Sequence, residues 1–136
     1  MDKHLTQTTV YGGRVKDEAT LLQSSSGGAF TALSDVFLGS GNAVVCSSYN
    51  YETRTQEYKI IESEEERDRA RGSKYFQSIP GNVFRRTEEW LTQHPGKSIL
   101  FVGMGCQVAG FIQFAEKKGF RDNVIVVDII CHGSPS

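Results

Sequence analysis

The sequence predicts an α/β fold: a single domain with a mixed, partly parallel β-sheet flanked by helices. Three observations predict it. From residue 80 onward the pattern alternates helix, strand, helix, strand, and the strands are short apolar runs of the kind buried on both faces of a parallel sheet. Two earlier β-rich segments, 43–49 and 56–61, flank a polar turn, which adds an antiparallel hairpin to the same sheet. The chain has 136 residues, 38% hydrophobic and 23% charged, which is the size and balance of one domain with one sizeable core.

Each element has its own local signal. Residues 8–15 are rich in β-branched and aromatic side chains and predict a first strand. Residues 26–38 predict a helix with Phe30, Leu33 and Phe37 on one face. The strands at 43–49 and 56–61 are joined through Tyr49-Asn50-Tyr51-Glu52 and the residues up to Thr55. The charge-rich run 62–69, followed by Ala70-Arg71-Gly72, predicts a short solvated helix with i,i+4 ion pairs. Residues 80–93 form a second amphipathic pattern, with Val83, Phe84, Thr87, Trp90 and Leu91 on one face. Pro80 suits its first turn and Pro95-Gly96 its stop. Strand 98–102 follows, then a helix over 105–118 that gathers Val108, Ala109, Ile112 and Ala115 and ends at Gly119. Residues 123–130 predict the last strand.

Composition excludes several classes. Fifteen basic side chains against sixteen acidic ones, a net charge of −1, provide no broad basic field for nucleic acid or an anionic membrane. Apolar runs of four residues, such as 99–102 and 124–127, fall far short of the ~20 that span a bilayer. The first residues carry no apolar segment of a secretory signal, so the expectation is a soluble, cytoplasmic chain. Its three cysteines, Cys46, Cys106 and Cys131, argue against a disulfide framework and for buried, reactive or ligating thiols. Three thiolates alone cannot wrap an all-cysteine iron–sulfur cluster.

Four segments have the composition for chemistry. Ser24-Ser25-Ser26-Gly27-Gly28-Ala29-Phe30 opens a predicted helix, where free backbone N–H groups and a partial positive charge can hold a phosphate. Simple N-capping by a serine is the alternative. Arg71-Gly72-Ser73-Lys74-Tyr75-Phe76-Gln77-Ser78 combines cations, aromatic rings and hydrogen-bonding side chains, suited to a nucleotide cofactor or to an ordinary surface connection. Phe101-Val102-Gly103-Met104-Gly105-Cys106-Gln107 is a strand-to-helix corner, where ligands of open α/β sheets bind and where a helix N-terminus favours thiolate. A small buried core residue is the other reading of Cys106. Ile130-Cys131-His132-Gly133-Ser134-Pro135 ends the last strand, so parallel neighbouring strands would bring Cys106 and Cys131 to one sheet edge. Cys46, among Val44, Val45 and Tyr49, reads as core, and His4 and His94 read as solvated. No Walker lysine loop, GxSxG elbow, HExxH or GxGxxG occurs.

In order, these four segments resemble the coenzyme F-420 hydrogenase/dehydrogenase beta-subunit family from about residue 10 onward. The resemblance implies an oxidoreductase domain that passes electrons between a 4Fe-4S cluster, FAD and a deazaflavin or other small redox acceptor. It implies that Ser25, Ser26, Gly27 and Gly28 lie near the FAD phosphates, that Lys74, Tyr75 and Gln77 line the flavin, and that Cys106 and Cys131 are cluster ligands. It also implies a ferredoxin-like module or partner subunit. Met104-Gly105 stands where the family usually has Thr-Pro, no ferredoxin-like module precedes the domain, and the family continues past the Cys-His-Gly segment. One domain over 1–136, truncated at its C-terminus, is therefore expected. The alternatives are a truncated non-catalytic module that keeps the fold and a phosphate site, and a thiol enzyme using Cys106 with His132 as base.

Overall fold

The computed structural model describes residues 9–133, so His4, Ser134, Pro135 and the first residue of the predicted 8–15 strand lie outside the described residues. Five helices and four strands follow in the order α1 (Glu18–Leu22), α2 (Ala29–Gly39), β1 (Ala43–Asn50), β2 (Thr55–Ile61), α3 (Glu64–Arg69), α4 (Val83–Gln93), β3 (Ile99–Met104), α5 (Gly105–Lys118) and β4 (Val124–Ile129). One 3-10 turn, Arg121–Asn123, leads into β4.

The strands form one sheet in the order β2-β1-β3-β4. β1 and β2 are an antiparallel hairpin with Ser47 opposite Tyr58. β1 runs parallel to β3, and β3 parallel to β4, with Ile99 opposite Val124 and Met104 opposite Ile129. The expected mixed sheet is thus present, and its central strands are apolar because helices cover both faces. On one face Ala43, Val45, Ile99, Phe101 and Val124 pack with Val83 and Trp90 of α4 and Val108, Phe111 and Ala115 of α5. On the other, Val44, Cys46, Leu100 and Val102 pack under Phe30, Phe37 and Leu38 of α2. Strand alternation explains the split, since successive residues of β1 and β3 feed opposite layers.

Several sequence expectations need correction. Residues 9–15 form no strand: Val10 and Tyr11 are almost fully exposed, and no ladder forms there among the described residues. High β-propensity makes a strand only where an edge is offered to it. A short helix, α1, follows instead, capped by Asp17, whose carboxylate accepts from Thr20 N at 2.7 Å. α2 begins at Ala29 rather than Ser26, because Gly28 sits in the left-handed region at φ 80° and ends the preceding bend. The pattern over 80–93 becomes helix only from Val83. α3 is not wholly solvated. Its Arg67 is buried, bonds Thr31 O at 3.3 Å, and pairs with Asp35 of α2 and with Asp68. That guanidinium fastens α3 to α2.

Candidate functional site

The first candidate segment and the second meet in space. Ser25 Oγ accepts a hydrogen bond from Ser73 N at 2.8 Å, and the Arg71 guanidinium donates to Gln23 Oε1 and, at 2.5 Å, to Asp68. Ser24 Oγ donates to Thr20 O at 2.7 Å. Ser24 thus bonds back onto α1 and Ser25 ties in the 71–73 segment, and no serine side chain caps α2. The glycines have a local reason too. Val15 N donates to Gly27 O at 2.8 Å, a Cβ on Gly27 would stand 2.6 Å from Gly13 O, and one on Gly28 would stand 2.8 Å from the Val15 side chain. Residues 13–15 cross so close to the start of α2 that only glycine fits beneath them.

Two buried polar atoms at this end of the fold have no hydrogen-bond partner: Thr31 Oγ1, in the first turn of α2, and Arg71 Nε. A buried donor and hydroxyl without partners are costly, about 1–3 kcal/mol each, unless something absent from the chain satisfies them. Thr31 lies in the first turn of the uncapped α2, and the loop that carries Arg71 is tied through Ser73 to Ser25 just ahead of that helix, so both belong to elements that meet at the N-terminus of α2.

The rest of the second segment does not converge on that helix end. Lys74 Nζ turns back to the carbonyls that follow α3, donating to Gly72 O at 2.8 Å, to Arg71 O at 3.3 Å and to Ala70 O. Its ammonium neutralises the exposed carbonyl end of the helix, and burial lowers its pKa from the usual lysine range. Tyr75 and Phe76 are exposed. Gln77 borders a groove shared with the β1–β2 hairpin.

Beneath the loop lies a polar junction that joins Gln107 and Ser78, the last residues of the third and second segments, to Tyr58, Gln56 and Ser47, which were not singled out from the sequence. Gln107, one residue past Cys106, accepts from Tyr58 Oη and donates through Nε2 to Ser78 O at 3.0 Å. Ser78 Oγ meets Ser47 Oγ at 2.6 Å, and Gln56 Nε2 donates to Ser47 Oγ at 2.9 Å. The second segment is thereby tied through β1 and β2 to the β3–α5 corner. The available signal was Gly103: a Cβ there would collide with Tyr58 Oη.

Cys106 occupies the second position of α5 and is exposed. Cys131 is also exposed, 3.7 Å from Met104 Sδ and accepting from Gly133 N at 3.3 Å. Since Met104 pairs with Ile129, each thiol stands two residues past the last paired position of its strand, at the same end of two adjacent parallel strands. Among the described residues, no group of three or more His, Cys, Asp or Glu side chains is placed to hold a metal. Cys46 is buried in β1, on the α2 side of the sheet. Burial pushes its thiol up to about 12, against a smaller opposing pull from Lys74.

Residues 10–83 match the family described as coenzyme F420 hydrogenase/dehydrogenase, beta subunit N-term, over more than half of the sequence. The chain belongs to this family. The matched span holds both the 24–28 and the 71–78 segments and stops before Cys106 and Cys131. The fold extends the likeness. A chain of the F420-reducing [NiFe] hydrogenase complex from Methanosarcina barkeri superposes with a TM-score of 0.70 at 20% identity, covering 87% of this beta-subunit-family chain. The present chain spans 42% of the length of that one. No curated protein matches it by sequence. No helix among the described residues is long and apolar enough to cross a membrane.

Proposed function

We propose that this chain is the FAD-binding part of an oxidoreductase of the beta-subunit family, working in the cytoplasm with a ferredoxin-like module or partner subunit and a deazaflavin or other small redox acceptor. One observation carries the reading: no side chain caps the N-terminus of α2, and two buried groups, Thr31 Oγ1 in its first turn and Arg71 Nε on the loop tied to Ser25 ahead of it, have no hydrogen-bond partner among the described residues, all inside the family's matched span. A diphosphate fits that chemistry, since it offers acceptor oxygens to a guanidinium, a hydroxyl and helix N–H groups at once. The backbone of Ser25, Ser26, Gly27 and Gly28 would border the phosphates, and Arg71 would supply the charge. Bound there, FAD would supply hydride chemistry, while the protein binds, orients and screens it from water. Tyr75 and Gln77 are proposed to line the isoalloxazine. Lys74 acts on the site by holding the 70–72 turn, through its three carbonyl contacts.

The fit to a 4Fe-4S cluster is poorer. Cys106 and Cys131 are a pair of thiols at one sheet edge, proposed as two of its ligands, and nothing else among the described residues completes a set. Met104, where Thr-Pro is usual, places its thioether against Cys131. The remaining ligands would have to come from another polypeptide segment. That shortfall favours the second reading, a non-catalytic module that keeps the fold and a phosphate site.

Anaerobic titration with FAD, followed by flavin absorbance and calorimetry, tests the first reading. We expect stoichiometric binding, weakened about tenfold or more by Arg71→Gln, the loss of a charge-assisted contact. A folded chain that binds no FAD would leave the module reading standing. Reconstitution with iron and sulfide, with and without Cys106→Ser, tests the thiol pair separately.

A further inference from the structure

The outer edge of β4 has no strand beside it among the described residues, whereas the β2 edge is bridged by Ile79. Pairing with β3 decides which way the β4 side chains point. Ile125, Val127 and Ile129 stand opposite Leu100, Val102 and Met104, and Leu100 and Val102 belong to the α2 side of the sheet. Val124 and Val126, opposite Ile99 and Phe101, belong to the α5 side. On the α2 side, Ile125 and Ile129 are 57% and 54% exposed and Val127 is partly buried.

The strand carries one charge, and that charge is engaged away from the edge. A Cβ on Gly105 would stand 3.6 Å from Asp128 Oδ2, so the carboxylate lies beside the first residue of α5, where the helix N-terminus attracts it. The register from Val124 to Ile129 is continuous, with neither bulge nor proline. Such an edge accepts another strand.

The sequence of β4 itself selects the partner. Directly opposite residues of an antiparallel pair share a face of the sheet, so a second copy meets the first about a two-fold axis through one residue. An axis at Val127 sets Ile125 opposite the second copy's Ile129, and Val127 opposite its own equivalent. All three apolar residues of the α2 side then meet apolar residues, and each Asp128 faces a Val126. An axis at Val126 sets Asp128 against Val124 and Ile129 against Asn123. An axis at Asp128 sets the two carboxylates against each other. Cross-strand pairs of β-branched residues stabilise a sheet and opposed like charges destabilise it, so the Val127 register is the favoured one.

We propose that the chain forms a closed two-fold dimer in which two β4 strands pair antiparallel about Val127. Four strands from each copy become one continuous sheet. Both β4 edges are consumed and each β2 edge is already bridged, so association stops at two. The interface uses none of the residues assigned to the flavin or to the thiol pair, and it stands whether or not the chain binds FAD.

Sedimentation equilibrium of the full chain, with reductant present because Cys106 and Cys131 are exposed, should fit a monomer–dimer equilibrium. Ile125→Lys and Ile129→Glu each set a charge against an isoleucine of the other copy, and each should weaken dimerisation about tenfold or more. In the double variant every new ammonium faces a new carboxylate across the axis, twice per dimer. Its affinity should return to within about threefold of the parent. Within one chain the two positions lie about 13 Å apart along the strand, too far to pair with each other. Both are more than half exposed, so melts of dilute samples should show all the variants folded like the parent. Backbone amide NMR of the parent supplies a second readout, with concentration-dependent shifts centred on residues 124–130. A chain that stays monomeric at millimolar concentration, association that continues past the dimer, a double variant no better than the single ones, or shifts centred on another surface would overturn the proposal.

Discussion

Gly103 and Tyr58 show how a single atom decides a residue. Any Cβ at Gly103 collides with the Tyr58 hydroxyl, which is itself held by Gln107, and the next neighbours, Phe101 and the Tyr58 ring, are already close at 3.1 and 3.3 Å. Gly103→Ala should therefore cost about 1–3 kcal/mol by overpacking. In a Tyr58→Phe background the same change should cost less, because the colliding atom is gone, and urea unfolding of the four chains of that cycle measures the coupling. Additive costs would show that the collision relaxes elsewhere. The thiols divide just as sharply. Cys106 and Cys131 are exposed and should react with a disulfide reagent in the native chain at pH 8, whereas Cys46 should react only on unfolding. Burial raises Cys46 from an ordinary 9.0 to about 12 and Tyr58 from 10.0 to about 12. Both groups keep their protons in the folded chain at pH values where the unfolded chain releases them, so their contribution is complete below about pH 9 and lost as pH climbs toward 12. Urea midpoints should fall between pH 8 and pH 10.5, and more gently for Cys46→Ala. Parallel pH curves for the two proteins would contradict this assignment.

Among the elements, α2 carries two glycines with opposite demands. Gly28 has φ 80° and Val15 packed against its missing side chain; Gly39, at the other end of the helix, has open space and no positive φ. Gly28→Ala should destabilise by about 1–3 kcal/mol, through strain and the displacement of residues 13–15. Gly39→Ala should be neutral or gain up to about 0.5 kcal/mol, from helix propensity. Thermal melts of the two variants should thus move in different directions, and a joint loss would mean that Gly39 has a partner. The same helix shows what was legible in the sequence. Of the face predicted from the 3.6 period, Phe30 and Phe37 pack on the sheet while Leu33 is exposed and Leu38 packs instead, and the hairpin and the two parallel strands were readable from β-branched runs between polar turns. The start of α2 was not, because the glycines answer to residues 13–15, a contact between segments that no local pattern encodes. The failed strand at 8–15 has the same cause, since local propensity says nothing about whether an edge is available. For the candidate site, the arrival of Cys106 and Cys131 at one end of two parallel strands follows from pattern, whereas the inward turn of Lys74 and the junction at Gln107 depend on tertiary neighbours.

At the scale of the whole molecule the sheet has two unequal edges. On the β2 side, Ile79 bridges to Glu57, and Glu57 and Lys59 put charge along the strand, the devices by which edge strands avoid further pairing. On the β4 side the strand reads Val124-Ile125-Val126-Val127-Asp128-Ile129, with one charge and, among the described residues, no partner beyond β3. Its two faces are also covered differently. α5 packs over β3 and β4, whereas α2 sits on β1 and β3, so Ile125 and Ile129, on the α2 side, are more than half exposed. A β-branched edge with a single charge, beside half-exposed isoleucines, is a template for another strand. The isolated chain should therefore associate through β4, and sedimentation should show its mean mass rising with concentration. Ile125→Lys places a charge at the exposed edge where no packing is lost, so it should shift the chain toward monomer without lowering its melting temperature. Ile129→Lys should act in the same way. A chain that stays monomeric at high concentration, or lysine variants that associate as readily as the parent, would show that β4 is protected by something other than its own sequence.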